Sequence, residues 1–251
     1  MMWETFTGTR AKTGLVLMAL FLTVGYIDSI TLTWLFFGFF MLIAVKEALQ
    51  LFNIDDDKIY IYAVLIWILA YFYPKPEDLV FVVGIIFASV LAYTKTFNTR
   101  LFLPLMYPIT SFLFLFSLYI SFGIESLIWL LFVVSGTDVG AYLVGKKFGK
   151  TKFCETSPNK TLEGVMGGIF TASIFGIIFV PDEIGFFLGL FISLIVAIAS
   201  IFGDLFESYL KREADVKDSG DILPGHGGIL DRTDGYLFAG IIMLVLLRLL
   251  V

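Results

Sequence analysis

The chain has 251 residues, of which 59% are hydrophobic and only 16% are charged, with 28 phenylalanines and a formal net charge of −5. Soluble globular domains do not have this composition, and several apolar runs approach the roughly 20 residues that cross a bilayer. The sequence therefore predicts an all-α, polytopic integral membrane protein. Its one cysteine, Cys154, excludes an internal disulfide and any metal site built from several cysteines.

Apolar segments separated by polar, proline or glycine breaks predict nine transmembrane helices. An α-helix satisfies its backbone hydrogen bonds internally, so each of these segments can lie in lipid. The third segment is short, so the predicted number of helices is nine, plus or minus one. The segments lie near residues 13–29, 30–46, 59–74, 79–94, 101–120, 124–145, 163–180, 184–204 and 235–251.

With nine helices, the basic residues divide very unevenly between the two sides of the membrane. Every Lys and Arg falls on one side except Lys75 and Arg248. Loops rich in Lys and Arg remain in the cytosol. We therefore expect the N-terminus and the loop at 205–234 to face the cytosol, and the C-terminus to lie outside.

Composition also divides the chain into two predicted regions. Residues 1–120 carry few charges inside their apolar segments, so we expect them to form a transmembrane scaffold. Residues 121–251 form the predicted catalytic region, with cytosolic loops at 146–162 and 205–234. The chemistry of the protein is therefore expected in its second half.

The first candidate functional residues follow an apolar run that ends at Val134. Asp138 lies near the inner end of a predicted span, where an acid is costly unless it is paired or hydrated, so we expect a substrate-binding role. The next loop is basic and leads to a glycine-rich helix start, whose amides favour an anion. An ordinary positive-inside loop is the alternative explanation. Its candidate substrate-binding residues are Ser157, Lys160, Thr161 and Glu163.

The segment from Asp204 to Asp234 is dense in charge for so apolar a chain. Asp231 and Asp234 are three residues apart at the start of the last predicted helix, so both can face one cation. Three hard oxygen donors at the membrane boundary suit Mg²⁺, and Asp204, Asp231 and Asp234 are the predicted ligands. Compensation of the helix dipole is the alternative for the last two. It does not explain Asp204, which we expect to be buried.

Two further features of this segment indicate a substrate. Ser208 shares a helix face with Asp204, four residues earlier. His226, the only histidine, is flanked by glycines, which favour close approach of the backbone to a ligand. The alternative for His226 is an ordinary loop residue. The substrate-binding candidates here are Ser208, His226, Gly227 and Gly228.

The motifs of this segment resemble the signature of the phosphatidate cytidylyltransferases, also called CDP-diacylglycerol synthases. They read Ser208-x-Leu210-Lys211-Arg212, Lys217-Asp218-x-Gly220 and Leu223-Pro224-x-His226-Gly227-Gly228-Ile229-x-Asp231-Arg232-Thr233-Asp234. Upstream blocks are similar as well, at Asp138, Ala141-Tyr142, Gly145 and Ser157-Pro158-x-Lys160-Thr161-x-Glu163-Gly164. The likeness covers about residues 135–235, and the first half matches only in having several spans. Asn159 stands where the family leads us to expect a lysine.

The resemblance implies that CTP and phosphatidic acid react to give CDP-diacylglycerol and pyrophosphate, in phospholipid synthesis. Mg²⁺, with a second cation left open, would bridge the CTP phosphates. A lipid phosphate is already largely dianionic near neutral pH, so its attack on the α-phosphorus depends on positioning and charge rather than on a strong base. The catalytic residues that would clamp phosphate are Lys211, Arg212, Lys217 and Arg232.

Two other functions are weighed against this one. A CTP-dependent polyprenol or phytol kinase would transfer the γ-phosphoryl group to an alcohol, but the complete signature at 208–234 argues against it. A transporter also places acids near glycine breaks within spans. Here, however, the charges cluster at one membrane face, and the halves show no repeat. We expect a bacterial inner membrane location, no nucleic-acid partner and helix faces suited to a homodimer.

Overall fold

The structure is a computed structural model that describes residues 2–95 and 98–251, with side chains from residue 12 onward. Apart from two isolated bridges, the part it describes contains no β-strand. The all-α prediction is therefore confirmed. The side chain of Arg10, which entered the charge pattern, lies outside the described residues.

The long helices follow one another in the order that the hydropathy pattern predicts. Short 3-10 turns at Pro76–Asp78 and Thr99–Leu101 precede the fourth and fifth of them. The helices are α1 (Met2–Ile27), α2 (Ile30–Leu51), α3 (Lys58–Phe72), α4 (Leu79–Thr94), α5 (Thr110–Phe148), α6 (Leu162–Ile178), α7 (Phe186–Glu213) and α8 (Leu230–Leu250).

Five helical segments of the described chain are long and apolar enough to cross a membrane. The apolar parts of α1, α3 and α6 are shorter. The chain is therefore an integral membrane protein, while the predicted count of nine spans is not confirmed. The five segments are Ile30–Leu51, Pro76–Thr94, Thr99–Phe148, Phe186–Glu213 and Leu230–Leu250.

Two helices extend beyond their apolar segments. Helix α7 continues past residue 204 to Glu213, and α8 begins at Leu230 rather than near residue 235. The non-helical part of the predicted loop at 205–234 is therefore only 214–229. Hydropathy marks where a helix leaves the apolar layer, but the backbone hydrogen bonds continue into the polar region.

Helix α5 contains a break at Gly123, which has φ of 71° and ψ of −176°. A residue with a Cβ atom rarely adopts this conformation, so glycine is needed here. The Ser126 hydroxyl donates to the Gly123 carbonyl at 2.7 Å and satisfies an acceptor at the break. The break falls between the predicted spans 101–120 and 124–145.

The chain forms two compact units. The first comprises Met1–Ser117 and Glu213–Arg232, and the second comprises Leu118–Arg212 and Thr233–Val251. The first unit therefore contains the helices up to α4 together with most of the charged signature. The second contains the basic loop between α5 and α6.

Paired tryptophans join α2 to α3 in the first unit. Trp34 Nε1 donates to the Trp67 carbonyl at 2.8 Å, and Trp67 Nε1 donates to the Trp34 carbonyl at 3.1 Å. Gly38 provides the space that the Trp67 indole fills. Because lipid offers no water to an indole N–H, this reciprocal pairing satisfies both donors inside the protein.

Small residues allow α5 and α6 to approach closely in the second unit. A Cβ atom at Gly140 would lie 2.7 Å from the Gly167 carbonyl oxygen, and one at Gly168 would lie 2.7 Å from the Thr137 carbonyl oxygen. Helix association in lipid depends on such packing, since lipid tails are as apolar as the side chains. The glycines of this region therefore bring two backbones together.

We expect Gly140→Ala to lower the free energy of unfolding by about 1–3 kcal/mol, because the added methyl group overlaps backbone that cannot move independently. Gly185→Ala is the matched control, since a Cβ atom there meets nothing within 4 Å among the described residues. Thermal unfolding of both purified variants in detergent measures the effect. Equal melting temperatures would contradict the close approach of α5 and α6.

Candidate active site

The loop between α5 and α6, residues 149–161, folds back on itself. Lys152 and Thr161 form an isolated antiparallel bridge. Thr161 also caps α6, because its Oγ1 accepts a hydrogen bond from the Gly164 N–H at 3.1 Å. The half-buried Cys154 lies in the same loop.

Glu163 holds the other end of this loop from the first turn of α6. Its carboxylate accepts the Lys150 N–H at 3.1 Å, the Thr151 N–H at 3.2 Å and the Thr151 hydroxyl at 2.9 Å. A negative charge at this position also complements the dipole of α6. These contacts shape the loop, and the substrate roles of Ser157, Thr161 and Glu163 remain predictions.

An ion pair joins the loop to α7. Lys160 Nζ lies 2.6 Å from Asp204 Oδ2. The sequence names both residues as site residues but does not predict their pairing. The expectation that Asp204 is buried is wrong: its side chain is 36% exposed, because it faces a lysine on a loop rather than the interior of the helix bundle.

The buried acid of α7 is Glu207, one turn after Asp204. Its side chain is 0% exposed and pairs with Lys211 at 2.5 Å. Lys211, predicted to clamp phosphate, therefore also neutralises a carboxylate that would be very costly to bury alone. Sequence reasoning missed Glu207 as a site residue. Its four-residue spacing from Lys211 on a helix was the available signal.

Helix α8 adds Asp234 to this acidic region of the second unit. The Asp234 carboxylate interacts electrostatically with those of Asp204, Glu207 and Asp138. The Ser208 hydroxyl donates to Asp204 Oδ1 at 3.3 Å. In the second unit Asp234 thus experiences the charge of three other carboxylates, and two of these, Asp204 and Glu207, pair with lysines.

Carboxylate oxygens of this kind are the donors that a hard divalent cation prefers, so the chemistry of the cluster fits such an ion. Across the described residues, however, no three His, Cys, Asp or Glu side chains are arranged as a set of metal ligands. At Asp204 the positive partner is the ammonium group of Lys160. A cation bound by Asp204 would therefore compete with that lysine.

The turn that carries His226 belongs to the first unit and is closed by its own backbone. The Leu223 N–H donates to the Gly227 carbonyl at 2.9 Å, and the His226 N–H donates to the Leu223 carbonyl at 2.9 Å. Gly225 and Gly227 have φ of 76° and 82°, which favours glycine at both positions. Backbone hydrogen bonds and the two glycines therefore fix the conformation of this turn without a substrate.

Side chains from both ends of the first unit hold this turn. The Thr13 hydroxyl of α1 donates to the Pro224 carbonyl at 3.1 Å. Arg232 Nε donates to the His226 carbonyl at 3.1 Å, and the Arg232 side chain is exposed. The phosphate contacts predicted for Arg212, Lys217 and Arg232, all three exposed, remain predictions.

Asp231 organises the same segment. Its Oδ2 accepts the Ser219 N–H at 2.8 Å, the Ser219 hydroxyl at 2.9 Å and the Gly228 N–H at 2.8 Å. A Cβ atom at Gly227 would lie 2.5 Å from that oxygen. The glycine at 227 thus leaves room for a carboxylate of the protein, whereas the sequence attributes it to a ligand. With Oδ2 in use, a metal role for Asp231 depends on its other oxygen.

Glu47 of α2 also contacts this segment, although its side chain is only 4% exposed. Its carboxylate accepts the Ile229 and Leu230 N–H groups, each at 2.8 Å, and the Ser219 hydroxyl at 3.0 Å. An acid from the first half of the chain therefore caps the start of α8. Sequence reasoning missed it, since an acid directly after Lys46 at the end of a predicted span is a weak signal.

These features define an all-helical integral membrane protein whose carboxylates and lysines gather at helix ends, as phosphate chemistry at a membrane surface requires. A profile of the cytidylyltransferase family matches residues 8–250. The chain belongs to the cytidylyltransferase family. The resemblance found in the motifs is confirmed, and the match also includes most of the first half, which the motifs alone did not indicate.

Curated relatives agree with this assignment. A phosphatidate cytidylyltransferase of Helicobacter pylori strain 26695 is 43% identical over 236 residues, covering 93% of this chain and 89% of the relative. One from Helicobacter pylori strain J99 is 43% identical over 245 residues, with 96% and 92% covered. A Bacillus subtilis phosphatidate cytidylyltransferase is 49% identical over 121 residues, with 47% and 45% covered.

We expect Glu163→Gln to loosen the loop at 149–161, because an amide offers one acceptor oxygen where the carboxylate offers two. Limited digestion with trypsin should then cleave after Lys150 and Lys152 several-fold faster than in the parent protein. Glu155→Gln, an exposed position in the same loop, is the control and should leave the rate unchanged. Equal rates in both variants would contradict the role of Glu163.

Proposed function

We propose that this protein is a phosphatidate cytidylyltransferase, which joins CTP and phosphatidic acid to give CDP-diacylglycerol and pyrophosphate. Similarity over 93% of the chain to a protein of that name carries the proposal. In the reaction, a phosphate oxygen of phosphatidic acid attacks the α-phosphorus of CTP and forms a new P–O bond. The bond from the α-phosphorus to the oxygen that bridges it to the β-phosphorus breaks, and pyrophosphate leaves.

Neutralisation of charge is the main task of the protein side chains, because both reactants are polyanions. Lys160 and Lys211 lie beside the acidic region of the second unit and carry the charge that phosphate oxygens need. Arg212, Lys217 and Arg232 add exposed donors along the signature. A dianionic lipid phosphate is nucleophilic as it stands, so holding it in line with the α-phosphorus is sufficient for attack.

We propose that Asp204 and Asp234 hold Mg²⁺, with Asp138 close by. The electrostatic interaction among these carboxylates supports this assignment. When bound, Mg²⁺ neutralises charge on the CTP phosphates. With a cation at Asp204, the Lys160 ammonium, which pairs with Asp204 in this structure, would be available to a triphosphate oxygen. A ligand role for Asp231 rests on its spacing from Asp234 along α8, and a second cation stays open.

We also propose nine spans, a cytosolic N-terminus and active site, an external C-terminus and a bacterial inner membrane location. The break at Gly123 supports the division of α5 into two spans. The uneven distribution of Lys and Arg supports the orientation, and the bacterial relatives support the location. Helix faces that carry small residues would also suit a homodimer.

A transfer assay with doubly labelled CTP tests the reaction. Purified protein receives phosphatidic acid, Mg²⁺ and CTP labelled separately in the cytidine and in the γ-phosphate. Cytidine label in the lipid fraction, with γ-label released as pyrophosphate, is the expected result. Transfer of γ-label alone to an added polyprenol or phytol would instead identify a kinase. Movement of neither label by folded protein would reject both enzymes and favour a transporter.

We expect Asp234→Asn to reduce turnover by roughly 10²-fold or more, because a neutral amide holds a divalent cation more weakly than a carboxylate does. The thermal unfolding of the variant should stay close to that of the parent. Asp221→Asn, at an exposed acid between the signature motifs, is the control and should keep full activity. Full activity in Asp234→Asn would remove the metal assignment.

We expect Lys160→Ala to raise KM for CTP by about tenfold or more, because a charge-assisted contact with phosphate is lost. Lys152→Ala removes an exposed lysine from the same loop and is the matched control. Steady-state rates over a range of CTP concentrations measure both variants. A KM for CTP equal to that of the parent protein would contradict the nucleotide-binding role of Lys160.

A further inference from the structure

The buried carboxylate of Glu47 is out of place in a helix that serves only as a scaffold. It lies in the last two turns of α2, which is otherwise apolar along most of its length, and its side chain is 4% exposed. Burying a carboxylate is costly unless hydrogen-bond donors compensate it. All the donors that the structure gives to Glu47 come from residues 219–230, more than 170 positions along the chain.

Glu47 uses both of its oxygens on this segment. Oε1 accepts the Ile229 N–H, and Oε2 accepts the Leu230 N–H, each at 2.8 Å. The first N–H groups of a helix have no acceptor within that helix. Glu47 therefore supplies, from α2, the acceptors that fix where α8 begins.

The Ser219 hydroxyl links Glu47 to Asp231. Its oxygen lies 3.0 Å from Glu47 Oε2 and 2.9 Å from Asp231 Oδ2. A hydroxyl has a single hydrogen, so it donates to one carboxylate at a time and joins the two into one hydrogen-bonded group. The position of the Asp231 carboxylate is thus tied to that of Glu47.

Glycines in the signature leave room for the Glu47 carboxylate. A Cβ atom at Gly220 would lie 2.9 Å from Glu47 Oε1, and one at Gly228 would collide with Glu47 Oε2 and the Ser219 hydroxyl. Both residues surround an acid of the protein itself. Gly220 and Gly228 therefore leave the space that the Glu47 side chain occupies.

We propose that Glu47 is a positioning residue for the cytidylyl transfer: it fixes the start of α8 and, through Ser219, the Asp231 carboxylate. This inference rests on the proposed function of the signature, of which Asp231 is part. Residues that hydrogen-bond a metal ligand, as Ser219 does to the predicted ligand Asp231, typically change metal affinity or activity by about 10–100-fold when they are altered. Anchoring on α2 gives the segment the support of a rigid helix.

Glu47→Gln is the informative variant, because it keeps the volume of the side chain but replaces one acceptor oxygen with an NH₂ group. That group would face N–H donors of α8. We expect kcat per folded protein to fall by about 10–100-fold and the Mg²⁺ concentration for half-maximal rate to rise. We also expect faster hydrogen exchange in a peptide that covers residues 219–231.

Glu77→Gln is the matched control, since Glu77 is also 4% exposed and lies in the turn before α4. It should leave kcat, the Mg²⁺ dependence and the exchange of residues 219–231 as in the parent. Activity lost by Glu47→Gln only in proportion to lost folded protein, with parental exchange in this peptide, would overturn the proposal. Equal effects of both variants would overturn it as well.

Ser219→Ala decides the question if Glu47→Gln yields no folded protein. It removes the link to Asp231 and leaves the two contacts of Glu47 with the α8 backbone in place. A lower kcat with a raised Mg²⁺ requirement supports the proposal, and parental values reject it. The exchange measurement needs no substrate, so it tests the hold of Glu47 on the segment even if the parent protein fails the transfer assay.

Discussion

An acid close to an apolar layer is costly unless a partner compensates its charge, and three acids of this protein have partners of three different kinds. Glu207 is fully buried and pairs with a lysine one turn away on α7. Asp204 pairs with Lys160, which lies in the loop between α5 and α6. Glu47 has backbone N–H groups at the start of α8 instead of a cation. A substrate phosphate that binds Lys160 or Lys211 must therefore compete with a carboxylate of the protein for that lysine.

Local patterns in the sequence were sufficient for the fold class, the membrane character and the family. Hydropathy depends on neighbouring residues, so it located the apolar helices, although it ended α7 near 204 and started α8 near 235. The motifs named Lys160 and Asp204 separately, as parts of two blocks. Their ion pair was not predicted, because nothing in either block indicates which lysine approaches which acid.

Contacts between residues that are far apart in the chain could not be predicted from the sequence. Glu47 meets Ser219 and Leu230 across 172 and 183 positions, and no periodicity connects them. The same limit applies to Gly227 and Gly228, because the sequence does not show that they make room for Asp231 and Glu47. A first half that looks like a plain scaffold thus contributes an acid to the most charged segment of the protein.

The half-buried thiol of Cys154 lies in the loop that also supplies Lys160 to Asp204. As the only cysteine of the chain, it is a natural attachment point for a fluorophore or spin label, with no need to remove other thiols first. A label there sits six residues from the lysine whose partner is expected to change when nucleotide binds. The unmodified sequence therefore offers one labelling position for detecting whether the surroundings of this loop change when CTP is added.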